Sequence, residues 1–376
     1  MAASVVVAAQ PTDSPELRLT PLVSLPRTRV LAWDRDVLYA SRGYKLFRFR
    51  MHEPSAPMKP GNATAAYDRQ AAGYYAPPQW RRLSSASKLA GRLTRDGFHA
   101  LAVLSTGHLV AAVPRAIIAL APMEQRFSLS HQVLRGTRPL HFAVSPDDHV
   151  FWGEYFDNPS REEVHIFASS DKGEHWEIAY SFAKGSVRHV HNVVYDKWEH
   201  CLWILTGDDG AECRILRAAC DFSTVDVILS GHQQARAAAI VPTASGLYFS
   251  TDTPLETNHI YCLDRRGNVK QLAGLGGSSI YGCRSGNDIF FSTMVEPSMA
   301  NPERYVSLHG SADGRRWPCL QRWKKDRWPM NWFQYGNAIL PDGVGPAGVL
   351  AATTVAVDDA DCETTIWQTT DATPSV

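Results

Sequence analysis

Two stretches of the 376-residue chain carry the same punctuation, Ser169-Ser170-Asp171-Lys172-Gly173-Glu174-His175-Trp176 and Ser311-Ala312-Asp313-Gly314-Arg315-Arg316-Trp317. The first fits the pattern S-x-D-x-G-x-x-W, and the second is one residue shorter. An Asp side chain that accepts from nearby backbone N–H groups closes a tight turn, glycine takes a positive φ, and the Trp is large enough to plug a small core. Two copies make a repeat, and a repeat constrains architecture more than any single motif does. Asp171 and Asp313 lie 142 positions apart. Three units between them give a period of about 47 residues, the length of a four-stranded propeller blade.

The strand pattern has a compatible period. Short apolar runs begin around Ala100, His141, Val190, Ala237, Ile280 and Ala338, each followed by further β-type runs. They predict blades near 28–85, 98–135, 140–183, 188–230, 237–275, 280–323 and from 332 onward. The last stops one strand short, and Leu17 to Ser24 would supply the missing strand and close the ring. The expected fold is all-β, a β-propeller forming a single domain over 1–376, with seven blades and six as the alternative count. Met51 to Gln79, rich in Pro and Gly, reads as an inserted loop. Ser85 to Arg95 reads as a brief helix capped by Ser85 or Ser87, with Leu89 and Leu93 on one face, so the insertion reaches to about 96.

Whole-chain properties exclude several classes. Lys plus Arg equals Asp plus Glu at 38 each, so no global field favours nucleic acid or an anionic membrane surface. No run approaches the roughly 20 apolar residues of a membrane span. Seven cysteines, an odd number without a CxxC pair, argue against a disulfide scaffold or a four-Cys zinc site. The first residues lack a basic segment ahead of their short apolar run, and the expected location is cytoplasmic. Walker-type loops, dinucleotide fingerprints, HExxH and G-x-S-x-G are all missing.

The densest polar constellation is Arg188-His189-Val190-His191-Asn192, followed by Gly207-Asp208-Asp209-Gly210 and Glu212-Cys213. Residues i and i+2 of a strand share a face, so His189 and His191 can present two imidazoles to one space. That suits an acid/base pair or, as the only cofactor in view, a divalent metal. The plainer alternative is two histidines hydrogen-bonded in a core. Asp208 ends a strand after Thr206-Gly207, while Asp209 and Glu212 read as turn formers. Glu154 occupies the corresponding strand end one blade earlier and Asp252 the one a blade later, so the three acids would converge around the ring axis. The expected catalytic set is His189, His191, Asp208, Glu154 and Asp252. Residues at the starts of inner strands crowd the mouth of a central channel, which makes Arg188, Gln233, Arg236, Tyr281, Trp332, Gln334 and Tyr335 the expected substrate-binding set.

The Asp turns resemble the BNR/Asp-box repeats of sialidase-like propellers. The stretch 152–266 resembles BNR-repeat proteins associated with bacterial exopolysaccharide synthesis, through Gly153-Glu154-Tyr155-Phe156, Arg188-His189-Val190-His191, Leu205-Thr206-Gly207-Asp208, Glu212-Cys213-Arg214-Ile215-Leu216, Gln233-Gln234-Ala235-Arg236 and Ser250-Thr251-Asp252-Thr253-Pro254. The resemblance implies a carbohydrate-active enzyme acting on a glycosidic linkage of an acidic oligo- or polysaccharide. As a glycoside hydrolase it would use two of the acids; as a lyase it would use His189 or His191 as base, with Arg236 or a metal neutralising a uronate carboxylate. The alternatives are a glycosyltransferase on this fold, or a non-catalytic propeller binding glycan or partner proteins of a polysaccharide assembly system. The early Arg-Ile-Pro element of true sialidases is missing, which argues against sialic acid cleavage.

Overall fold

The computed structural model describes residues 16–51 and 67–372. Five four-stranded antiparallel sheets follow one another, over 29–74, 100–132, 143–182, 190–230 and 237–275, each a meander pairing in sequence order. The remaining strands form one nine-stranded sheet. It contains a four-strand run over 279–324 and a second run made of 336–339, 349–355, 363–372 and 16–26, joined by the pairs Met294↔Asn337 and Val295↔Gly336. The chain is an all-β β-propeller. The expected count of six or seven separate blades is corrected: five sheets stand apart, and the rest merge because Asp288–Val295 runs past its pairing with Tyr305–Ser311 and pairs its last two residues with Gly336–Ile339. Glu16–Pro26 pairs antiparallel with Glu363–Ala372.

The hydrophobic patterning explains the layering. Second strands such as Cys201–Thr206, Gly246–Thr251 and Val349–Val355 are buried along their whole length; they carry apolar or small side chains on both faces because a sheet packs against each. Outer strands such as Glu177–Phe182 and Val225–Ser230 are largely solvated. Between neighbouring sheets the faces interlock, as where Phe151, Val164 and Ile166 meet Leu202, Ile204 and Leu216. Inner strands begin at Ala100, Ala143, Val190, Ala237, Ser279 and Gly336, within two residues of their expected positions. Four inner strands carry a register shift near their start, which leaves Leu31, His191, Ala238 and Ile280 as the extra residue.

The inserted segment is only partly a loop. Tyr67–Tyr74 is the fourth strand of the first sheet, and 52–66 lies outside the described residues. Two short helices follow, α1 (Gln79–Ser84) and α2 (Lys88–Thr94), and Ser87 caps the second by accepting from the Ala90 N–H. Leu89 and Leu93 remain exposed, so an apolar face does not hold α2 in place. Its anchor is Arg92, a buried guanidinium that donates to Asp326 (2.6 Å) and to the Phe333 carbonyl and lies 3.3 Å from Asp361.

Both Asp turns join the third and fourth strands of their sheets, three sheets apart. Asp171 accepts from the backbone N–H groups of Glu174 and His175 (3.1 and 2.9 Å) and from Ser169 Oγ (2.9 Å). Asp313 accepts from the N–H groups of Arg315 and Arg316 (2.8 and 2.9 Å). Gly173 and Gly314 take positive φ of 85° and 68°. Each Trp reaches the preceding sheet: Trp176 Nε1 donates to Ser130 Oγ (2.8 Å), and Trp317 packs between Tyr248 and Phe291. The turns are thus clasps between sheets as well as hairpin closures. Replacing Asp171, whose side chain is partly solvated, by Ala is expected to lower unfolding free energy by about 1 kcal/mol, measured as a drop in urea midpoint at unchanged slope.

Candidate functional site

Val190–Asp196 brings its two histidines together through a bulge rather than through simple alternation. His189 precedes the strand and His191 is the extra residue in the register shift between Val190 and Asn192, so the bulge re-aims its ring. The Nε2 atoms lie 2.9 Å apart, at 3.4 and 3.5 Å from the same Asp208 Oδ1. Nδ1 of His189 faces the Phe156 carbonyl (3.2 Å) and Nδ1 of His191 the Ala237 carbonyl (3.0 Å). Carbonyls only accept, so both Nδ1 atoms carry hydrogen, and each Nε2 faces the other ring and the carboxylate either as a lone pair or, with a further proton, as a donor. Three electron-rich atoms converging in this way require a shared proton or a cation between them. His189, His191 and Asp208 offer donor atoms within 4.8 Å of one another, a set that would suit a divalent ion as well.

Gly207 makes this placement of Asp208 possible. It takes φ of 88°, and a Cβ there would run into the Glu212 carbonyl. Around the carboxylate the cationic partners are Arg236, whose Nη2 lies 3.1 Å from Oδ1, and Arg188, whose Nη1 lies 3.5 Å from Oδ2. Gln233 donates to the Asp208 carbonyl (2.9 Å) and accepts from Thr253 Oγ1 (2.6 Å). Burial pushes Asp208 up, but the imidazoles and Arg236 outweigh it and hold the carboxyl far below the usual range. Burial pushes His191 below its ordinary value, helped by the charge of His189 and opposed by Asp208.

Asp252 behaves in the opposite way. It is buried, its Oδ1 has no hydrogen-bond partner among the described residues, and its Oδ2 lies 3.7 Å from the same Arg236 nitrogen that contacts Asp208. Burial pushes its carboxyl up to about 7, with Glu296 adding to the rise and Arg236 opposing it. Glu296 is itself raised by burial. Tyr155 covers the cluster, its ring centroid 4.3 Å from that of His189, and burial with the charges of Asp252 and Asp208 pushes its hydroxyl up to about 12. Buried orphan atoms concentrate at this place, Asp252 Oδ1 together with Arg188 Nε and Arg236 Nε, as a site kept open for a ligand would require.

Five of the expected residues do not join the cluster. Glu154 is taken up by Arg135 and by the His165 N–H (2.9 Å), because the neighbouring sheet supplies a guanidinium at that strand end. Tyr281 stacks edge-on against His141, centroids 6.0 Å apart. Trp332 is exposed on the short helix Met330–Phe333, and the Gln334 amide donates to the Arg92 carbonyl (2.8 Å), which places both beside α2. Tyr335 feels Glu296 on one side and Arg95 on the other. Sequence reasoning passed over Tyr155, Glu296, Arg29, His99 and Arg138, although the strand-start rule applied to the first three blades would have raised Arg29, His99 and Arg138.

Solved structures place the fold. A chain of a mitotic checkpoint complex aligns over 98% of this chain and 97% of its own at 12% identity with a TM-score of 0.55. The WD40 β-propeller domain of Doa1 aligns over 95% and 96% at 11% identity and 0.53. A gluconolactonase from Xanthomonas campestris covers 77% of this chain and 96% of its own at 12% identity and 0.45, too loose a match to carry a functional argument. No protein-family model and no curated protein sequence matches the chain. No described helix is long and apolar enough to cross a membrane.

Two outcomes test the assignments. Glu154→Gln is expected to cost about 2 kcal/mol of stability by stranding Arg135, read from urea denaturation. Asp252 is the reverse of an ordinary paired carboxylate: its folded value of about 7 lies above the usual aspartate range, so it favours folding at low pH and the benefit disappears as pH rises through 7. Asp252→Asn is therefore expected to melt above the parent at pH 8, with the gap closing toward pH 4.

Proposed function

We propose that this propeller is a carbohydrate-active enzyme that breaks a glycosidic linkage, with an acid/base pair at the channel mouth. The observation that carries the reading is Arg236 set between two carboxylates of opposite character, an ionised Asp208 and an Asp252 pushed up to about 7. Environments that drive paired acids apart mark acid and base roles. Asp252, protonated, would deliver its proton to the leaving glycosidic oxygen. The His189–His191–Asp208 cluster would take a proton, from water in hydrolysis or from the carbon next to a uronate carboxylate in elimination. Arg236 and Arg188 would then balance the negative charge that develops. Should a divalent ion occupy the cluster, the same three side chains would hold it and it would supply Lewis acidity.

Two finer readings belong to this proposal. The Asp-closed turns support a place among the BNR/Asp-box propellers. The antiparallel pairing of Glu16–Pro26 with Glu363–Ala372 supports Glu16–Pro26 as the strand that closes the ring.

The test is turnover of acidic oligosaccharides, following reducing ends for hydrolysis and the absorbance of unsaturated uronate for elimination. Asp208→Asn and His189→Ala are expected to lower kcat by about 100-fold or more while circular dichroism stays unchanged. The pH profile is expected to rise on the acid side, where His191, held below its ordinary value, must lose its proton, and to fall above about 7 as Asp252 ionises. Full turnover in Asp208→Asn across a panel of uronate and neutral oligosaccharides would overturn the reading.

A further inference from the structure

On the other side of the mouth, a cavity of about 880 Å³ opens between the helix pair α1/α2 and the rim of the first two sheets. Its volume falls in the range of pockets that enclose small-molecule ligands, roughly 300–1,000 Å³. Nine Lys and Arg side chains line it against a single carboxylate, Asp96. Asp96 is already occupied by Arg81 (2.7 Å), Thr94 (2.7 Å), Tyr44 (2.8 Å) and Ser84. Of the cations, Arg92 is neutralised by Asp326 and Asp361, and Arg69 lies over the Phe47 ring. Arg29, Arg42, Lys45, Arg82, Lys88 and Arg95 have no carboxylate partner among the described residues.

The innermost part is built more tightly than a solvated basic patch. Arg29 Nε and His99 Nδ1 are buried without a hydrogen-bond partner, and Arg138 Nε beside them is in the same state. His99 Nε2 lies 2.6 Å from the Arg95 carbonyl, so that nitrogen carries hydrogen, and burial with the charges of Arg138, Arg29 and Arg95 keeps the ring neutral. Burial and the charge of Arg29 lower even the Arg138 guanidinium, to about 9. Guanidinium groups crowded together with unsatisfied N–H donors, here Arg29 Nε and Arg138 Nε, are costly unless an anion joins them. Tyr44 and Tyr75, centroids 6.1 Å apart, add an aromatic wall for the uncharged part of a ligand.

We propose that this cavity binds a small molecule carrying a diphosphate, with the phosphates on Arg29 and Arg95 and the remainder against Tyr44 and Tyr75. A single carboxylate would leave most of the unpaired cations uncompensated, whereas a diphosphate brings multiple charges and enough acceptor oxygens to engage several guanidinium groups at once. None of the residues invoked belongs to the His189–His191–Asp208 cluster, so the inference stands or falls apart from the glycosidic-linkage reading.

Isothermal titration of the whole chain with pyrophosphate, a nucleoside diphosphate and digalacturonate tests it. Pyrophosphate and the nucleoside diphosphate are expected to bind, with affinity falling as salt is raised. Binding should weaken about tenfold or more in the double variant Arg29→Gln/Arg95→Gln and stay unchanged in Asp208→Asn. Should the double variant fail to fold, Lys45→Gln/Arg82→Gln on the rim is expected to weaken binding in the same direction. No heat with either phosphate ligand, binding of digalacturonate alone, or phosphate affinity unaltered in folded arginine variants would each overturn the proposal.

Discussion

Radial packing of sheets onto one axis is the constraint from which the rest follows. Each sheet buries both faces against neighbours, so its second strand is largely buried, with apolar or small side chains, and its outer strand is wet. Its inner strand is squeezed where all the sheets meet. The squeeze shows in the residues: Ala237, Ala238 and Ala239 in one inner strand, Ala100 and Ala102 in another, Gly282 in a third, where a Cβ would collide with Phe291. Small side chains near the axis leave a channel, and the backbone there must change from ladder pairing to loop at each mouth. Polar residues at that transition are close together without being a designed contact of any one sheet.

The bulges at the inner-strand starts turn this crowding into a site. An extra residue at Leu31, His191, Ala238 or Ile280 rotates the next side chain relative to strict alternation. In three of these sheets the extra residue is apolar and packs; in one it is a histidine, and its ring meets His189 over Asp208. The special chemistry of that sheet is therefore a local substitution on a feature the whole ring shares. Gly207 contributes the second half by letting Asp208 turn inward against the Glu212 carbonyl.

Much of this was legible in the sequence for a physical reason. Blade periodicity and the Asp-closed turns are short-range signals: the residues that make each turn are within seven positions of one another, and Asp221 and Asp264 close the corresponding turns of the two intervening sheets in a related way. Likewise Asp208, His189 and Arg236 sit at strand ends that the period places next to the axis. What the sequence could not reveal was which partner each strand-end acid finds. Glu154 and Asp252 occupy equivalent positions, yet one meets Arg135 from the adjacent sheet and the other shares Arg236 with Asp208. That difference is set by contacts between neighbouring sheets, which the periodicity of any one sheet does not encode. The merging of the last two strand runs has the same origin, since it depends on how far Asp288–Val295 extends past its own hairpin.

Charge is partitioned across the mouth although the chain as a whole is neutral. One side gathers Asp208, Asp252 and Glu296 around Arg236; the other gathers Arg29, Arg95 and Arg138 around His99. The two sides communicate through side chains that feel both: Tyr335 lies under the influence of Glu296 and Arg95, and Tyr155 acts on Arg138 while covering His189. In a low-dielectric recess such a division costs stability unless ligands or protons offset it, because like charges on each side repel with little screening. The raised Asp252 is one response, since the acidic side keeps a proton it would lose in water. Arginine has no comparable escape within the physiological range, so on the basic side the proposed diphosphate would supply from outside the chain the compensation that a proton supplies on the acidic one.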